Sequence, residues 1–196
     1  MKTKTNRVRT SVAGTAVLLM LLSIFSFQTY AQNKWSFEVR PGVDFATKKL
    51  GGADLKTGFG FEGTFAYRFM PHLAVYAGWS WNRFGSDQSL DFEETGYTYG
   101  LQFIHPIGDS NIEFLARAGA TSNHIEVEDG DQLIADTGHG FGFQLESGVV
   151  IPIGESWNLL PSIRYRSLSR DIDFGQTTTA VDLNYVSIGV GFAKTF

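Results

Sequence analysis

The 196-residue chain has no cysteine, five prolines and three methionines. Without cysteine it can neither carry the lipid of a lipoprotein nor staple a small secreted domain with disulfides. Positive charge is also in the minority, 16 Lys and Arg against 20 Asp and Glu, and that acidic balance argues against nucleic acid as a partner. After residue 31 no apolar run approaches the roughly 20 residues a membrane-spanning helix needs, and no stretch sustains a helical period.

The leading segment is different. Lys2, Lys4, Arg7 and Arg9 stand without an acid ahead of an apolar run over 12–27, and Gln28-Thr29-Tyr30-Ala31 ends in a small residue. This is the layout of an export signal, expected to be cleaved after Ala31, with residues 1–31 as signal peptide and 32–196 as one mature domain. A retained anchor helix fits less well because the run is short. Losing the four leader cations takes Lys plus Arg from 16 to 12 against 20 acids, a formal mature charge of about −8.

The mature chain is dominated by alternation. Over residues 57–69, Phe59, Phe61, Phe65, Tyr67 and Phe69 fall on one face and Gly58, Gly60, Glu62, Thr64, Ala66 and Arg68 on the other. A period of two puts those sets on opposite sides of a β-strand. The same pattern predicts strands over 35–45, 73–82, 97–103, 112–119, 140–151, 157–166 and 186–196. The intervening segments alternate in length. Those at 70–72, 106–111 and 152–156 are short, with Pro, Gly, Asp or Ser, while 46–56, 83–94, 122–139 and 167–183 are long and polar. Short turns on one rim and long loops on the other predict a closed, antiparallel, up-and-down transmembrane β-barrel of about eight strands.

A soluble barrel would alternate too, so the orientation of the two faces decides the class. Eight strands enclose only enough room for side chains to fill, and Phe59, Phe61, Phe65, Trp79, Trp81 and Phe143 would overpack that space. The glycine-rich faces are therefore expected inside and the aromatic faces against lipid. The glycine-rich faces also carry Glu38, Arg40, Glu62, Arg117, Glu146 and Arg164 near mid-strand. Buried charges persist when paired, and the arginine fork suits two carboxylates at once. These six are expected to form an interior ion-pair belt.

On these residues the chain resembles the eight-stranded outer-membrane barrels of the OmpA, OmpX and opacity-protein type, and looks like a Bacteroidetes-style outer membrane beta-barrel protein. The ending Val186-Ser187-Ile188-Gly189-Val190-Gly191-Phe192-Ala193-Lys194-Thr195-Phe196 is similar to the terminal strand that the barrel assembly machinery reads, with Phe192 and Phe196 as the assembly signal. Lys194 departs from the apolar residue usual there. The resemblance implies a cell outer membrane location, contact with outer-membrane lipid and lipopolysaccharide, and periplasmic chaperones and the assembly machinery as partners during biogenesis. A periplasmic OmpA-type domain is not expected.

The most distinctive loop is 122–139. Ile125 and Val127 precede Glu128-Asp129-Gly130-Asp131, and Leu133 and Ile134 follow, so an Asp-Gly turn would extend the flanking strands into a projecting hairpin whose edge can take up a protein partner. Glu126, Glu128, Asp129, Asp131 and Asp136 make this loop the expected interaction surface. Their spacing matches no EF-hand, so no specific metal site and no cofactor are expected. Ser122, His124 and His139 raise a lipid hydrolase, since a serine nucleophile needs a neighbouring base, but no acid is fixed as orienter and no catalytic residue is assigned. A narrow porin-like channel is the other alternative to a structural or interaction barrel, and an interior belt of large charged side chains argues against it.

Overall fold

The computed structural model describes residues 34–130, 132–174 and 177–196. They fold as antiparallel strands: β1 (Trp35–Ala46), β2 (Gly58–Met70), β3 (Leu73–Gly85), β4 (Asp91–Pro106), β5 (Glu113–Asp129), β6 (Gln132–Asp136), β7 (Gly140–Pro152), β8 (Trp157–Phe174) and β9 (Thr177–Thr195). Each pairs with its sequence neighbour except at β6, which pairs with β5 while β5 continues on to β7. The first and last strands pair with each other from Ser36↔Thr195 to Ala46↔Tyr185. That closes eight strands into a barrel and leaves β6 as a short flap beside β5.

The predicted strands are all present, and several run further than expected. Segments 83–94 and 167–183 are not long loops. β3 and β4 pair as far as Gly85↔Asp91, and β8 and β9 as far as Phe174↔Thr177. The 18 residues of β8 measure about 60 Å end to end. Even tilted by roughly 45° they outreach an apolar band about 25 Å tall, so the long-loop end of the barrel stands well clear of it.

The change of surroundings is written along each strand. From the short turns to mid-wall, outward positions are apolar, while inward positions are apolar next to the short turns and small or polar at mid-strand. Beyond Trp81 and Tyr97 the faces exchange character: Arg83, Asp91, Glu93, Glu126 and Glu128 point outward, while Phe84, Phe92, Ile125, Val127, Leu168 and Leu183 turn inward and are buried. The connection 47–57 folds over this end and adds Leu50 and Ala53 to the same apolar cluster. It is laced to the β3–β4 turn by Lys56 N–H to Gly85 O at 2.8 Å and Asp87 N–H to Asp54 O at 3.1 Å.

Inside, therefore, three layers stack. An apolar layer of Ile104, Leu115, Val150, Leu160 and Ala193 fills the short-turn end, a charged layer fills the middle, and the cluster around Phe84 and Leu50 fills the long-loop end. Close strand-to-strand fit at the inner wall explains the glycines. A Cβ on Gly119 would run into Tyr99 O and the Tyr76 ring, which lies across the wall there.

Candidate functional site

The interior belt forms from the six predicted residues and extends beyond them. Glu146, on the inward face of β7, receives Arg164 from β8 at 2.8 Å, Arg117 from β5 at 3.4 Å and Arg40 from β1 at 3.8 Å. Arg117 also reaches across the barrel to Glu38 at 2.5 Å, and Arg164 to Glu62 at 2.8 Å. Glu62 takes a second arginine, Arg166, at 2.9 Å. Neutral donors and acceptors complete the shell: Arg117 Nε donates to Gln102 at 2.8 Å, and Arg40 Nε to the Ser162 hydroxyl at 2.9 Å.

Four charged members were not anticipated. Arg166 bridges Glu62 to Glu94 and donates to Gln144. Glu94 is held by Asn82 Nδ2 at 2.5 Å, by the Tyr185 hydroxyl at 2.8 Å and by Asn123. Arg170 caps the carbonyls of Asn123, Gly140 and Phe141 where β7 leaves the flap, and Asp44 is fully buried on β1. Period two already marks them, since Glu94 shares parity with Gly96 and Thr98, and Arg166 and Arg170 with Arg164. Ending the predicted strands too early hid Glu94 and Arg170. Among the described residues the buried charged side chains are five arginines, at 40, 117, 164, 166 and 170, and five acids, at 38, 44, 62, 94 and 146. In formal charge these ten cancel.

The outer wall between the rims is apolar. Phe59 and Phe61 pack on Trp81, Phe61 also on Trp79, and Phe37 on Phe65. At the short-turn rim Trp35 meets Tyr67, and Trp157 stacks on Phe192 with the Lys194 ammonium 5.4 Å from the indole centre. That position explains how a lysine is tolerated there: the stem lies on the aromatic surface and the charge reaches the headgroup level.

The acidic loop residues occupy the projecting end. Gly130, at φ 64°, follows Asp129 in the hairpin turn, and β6 returns so that Glu126 faces Asp136. Leu133 and Ile134 are 55% and 51% exposed, and among the described residues β6 has no ladder partner besides β5, its other edge lying towards β8. Asp131 lies outside the described residues. On β4, Glu93 faces Glu126 from the other side. Arg83 answers part of this charge, meeting Asp91 at 2.8 Å, Glu93 at 3.1 Å and Glu128 at 3.4 Å. Even so, partial desolvation and the nearby Glu93 carboxylate push the Glu128 carboxyl above its ordinary value.

His124 points to Asp136, with Nδ1 3.1 Å from Oδ1, and its ring stacks on His139 at 4.6 Å. Desolvation works to raise the Asp136 carboxyl, but the Gly138 amide and His124 outweigh it and hold the group below its usual range. Among the described residues no hydrogen bond joins Ser122 to His124; the imidazole is directed at a carboxylate instead.

Comparison with known proteins agrees with this geometry. No curated protein matches the chain in sequence. Among solved structures, Neisserial surface protein A (NspA) superposes with a TM-score of 0.61 at 15% identity, covering 86% of this chain and 100% of its own. The outer membrane protein AlkL gives 0.54 at 16% identity, covering 86% and 92%. OprG from Pseudomonas aeruginosa gives 0.51 at 18%, covering 82% and 96%. Residues 17–196 match the family described as the outer membrane protein beta-barrel domain, and the chain is a member of that family.

Proposed function

We propose that this protein is a closed-interior barrel of the outer membrane that acts by interaction at its cell-exterior rim, where the free edge of β6 takes up an extended segment of a protein partner. In barrels of this kind the short turns face the periplasm and the longer connections the exterior, which puts the flap outside the cell. The observation that carries the reading is the pairing of β6 with β5 alone among the described strands, with Leu133 and Ile134 exposed beside it. An unpaired strand edge supplies backbone affinity to a partner, and alternate side chains supply selectivity.

The interior supports the same conclusion by leaving little else to do there. A belt in which Arg40, Arg117, Arg164 and Arg166 are cross-linked to acids on other strands, lying between two apolar layers, leaves no continuous aqueous path. Lipopolysaccharide and outer-membrane lipid are the surroundings of the outer wall rather than substrates.

Two measurements test this. Wild-type protein refolded into planar bilayers is expected to pass no steady current, and a stable open channel would overturn the closed interior. On cells, surface cross-linking should trap a protein partner with the wild type and lose it with Ile134→Pro, which disrupts β6 while leaving the barrel strands intact. An identical cross-linked set from both proteins would overturn the strand-edge reading, as would fatty-acid release from lipid A that disappears in Ser122→Ala.

A further inference from the structure

We infer that the base of the β5–β6 flap is a binding site for a divalent transition metal of the Zn2+ type, held by His124, Glu126 and Asp136. The three are spread over thirteen positions of sequence, and the register gathers them. His124 and Glu126 are two apart on the outward face of β5, and Asp136 is the direct partner of Glu126 on β6. One donor atom from each lies within 4.8 Å of the others. His124 Nδ1 is 3.1 Å from Asp136 Oδ1 and 3.8 Å from Glu126 Oε1. Donors placed tetrahedrally about 2.1 Å from a zinc ion are roughly 3.4 Å apart. The two spacings from His124 straddle that value, and side-chain rotation brings the two carboxylates, already within 4.8 Å, to it.

The site is also held in shape without a metal. Gly138, at φ 65°, turns its N–H onto Asp136 Oδ1 at 2.8 Å. Thr137 is tied to Ile125 twice, by its own N–H to Ile125 O at 3.0 Å and by the Ile125 N–H to its hydroxyl at 2.9 Å. His139 stacks on the His124 ring with 12° between planes and so fixes the ring's orientation. A ligand set whose own backbone is pinned spends little ordering entropy on binding.

Charge and donor type choose the ion. Arg83 is committed to Asp91, Glu93 and Glu128, whereas Glu126 faces Glu93 and Asp136 on its two sides. Like charges directly opposite on a sheet repel. A dication between Glu126 and Asp136 cancels both carboxylates. The imidazole donor favours zinc, copper or nickel, while calcium asks for six or more oxygens. Bound there, the ion clasps the flap to the barrel wall, whether or not a partner docks on the strand edge.

The test uses the full chain without a polyhistidine tag, refolded in detergent, stripped with chelator and titrated with Co2+ and then Zn2+. One equivalent of Co2+ is expected to give the intensified visible absorption of a tetrahedral nitrogen–oxygen site, and Zn2+ to displace it. His124→Ala and Asp136→Asn should weaken binding by more than the roughly 10- to 100-fold typical of outer-shell changes, while Glu93→Gln keeps it. Heat-modifiable gel migration confirms that each variant is folded. Equal affinity in wild type, H124A and D136N would overturn the site. So would loss of binding in E93Q with retention in H124A, or Ca2+ competing as well as Zn2+.

Discussion

Glu146 is the residue on which the interior depends most. One buried carboxylate stands among Arg40, Arg117 and Arg164, so neutralising it strands positive charge in a place water does not reach. Removing one partner of a buried pair costs about 3–5 kcal/mol, and Glu146→Gln is expected to lower the unfolding free energy of the refolded protein, read from urea titration, by at least the lower figure. Glu155, exposed in the β7–β8 turn, gives the control: Glu155→Gln should shift stability by under roughly 0.5 kcal/mol. If the two substitutions behave alike, the belt is not what holds the interior. Gly119 makes the complementary point about volume. Its missing side chain is the space the Tyr76 ring uses, where Tyr76 also accepts from Gln144 Nε2 at 3.0 Å. Gly119→Val should cost about 1–3 kcal/mol by overpacking, seen as a smaller fraction of heat-modifiable protein after refolding.

At the level of the elements, the flap and the barrel wall are separable. β5 and β7 pair continuously from Glu113↔Val150 to Asn123↔Gly140 without help from β6. Replacing residues 127–136 by a short Gly-Ser turn is expected to leave heat-modifiable migration unchanged, and a variant that migrates as unfolded before heating would show the flap to be part of the fold. The strands were largely legible because alternation survives wherever one face meets lipid and the other a packed interior. It failed at 83–94 and 167–183, where Phe84, Phe92, Leu168 and Leu183 turn inward and Arg83 and Glu93 outward. There the polar sequence reads as a loop only if lipid is assumed on the outside. The six belt residues were legible from parity alone. The grouping of His124 with Asp136 was not, since it depends on the register of β6, which a turn of uncertain length leaves open.

For the molecule as a whole, the outer wall predicts its own surroundings. The four tryptophans, Trp35, Trp79, Trp81 and Trp157, all belong to the outward aromatic clusters of the wall. Lipids brominated along the acyl chain should therefore quench most of the folded protein's tryptophan emission, and an unquenched spectrum would contradict the placement of the faces. In cells, Phe192→Ala combined with removal of Phe196 is expected to reduce the folded fraction in outer-membrane preparations while purified protein still refolds in detergent. The exchange of character along the strands has a further consequence, for direction of travel. The short-turn end can slip through hydrocarbon carrying little charge on its walls, whereas the other end would have to drag Arg83, Asp91, Glu93, Glu126 and Glu128 with it. Chains added to sealed vesicles should thus enter one way round, leaving the flap on the side they came from.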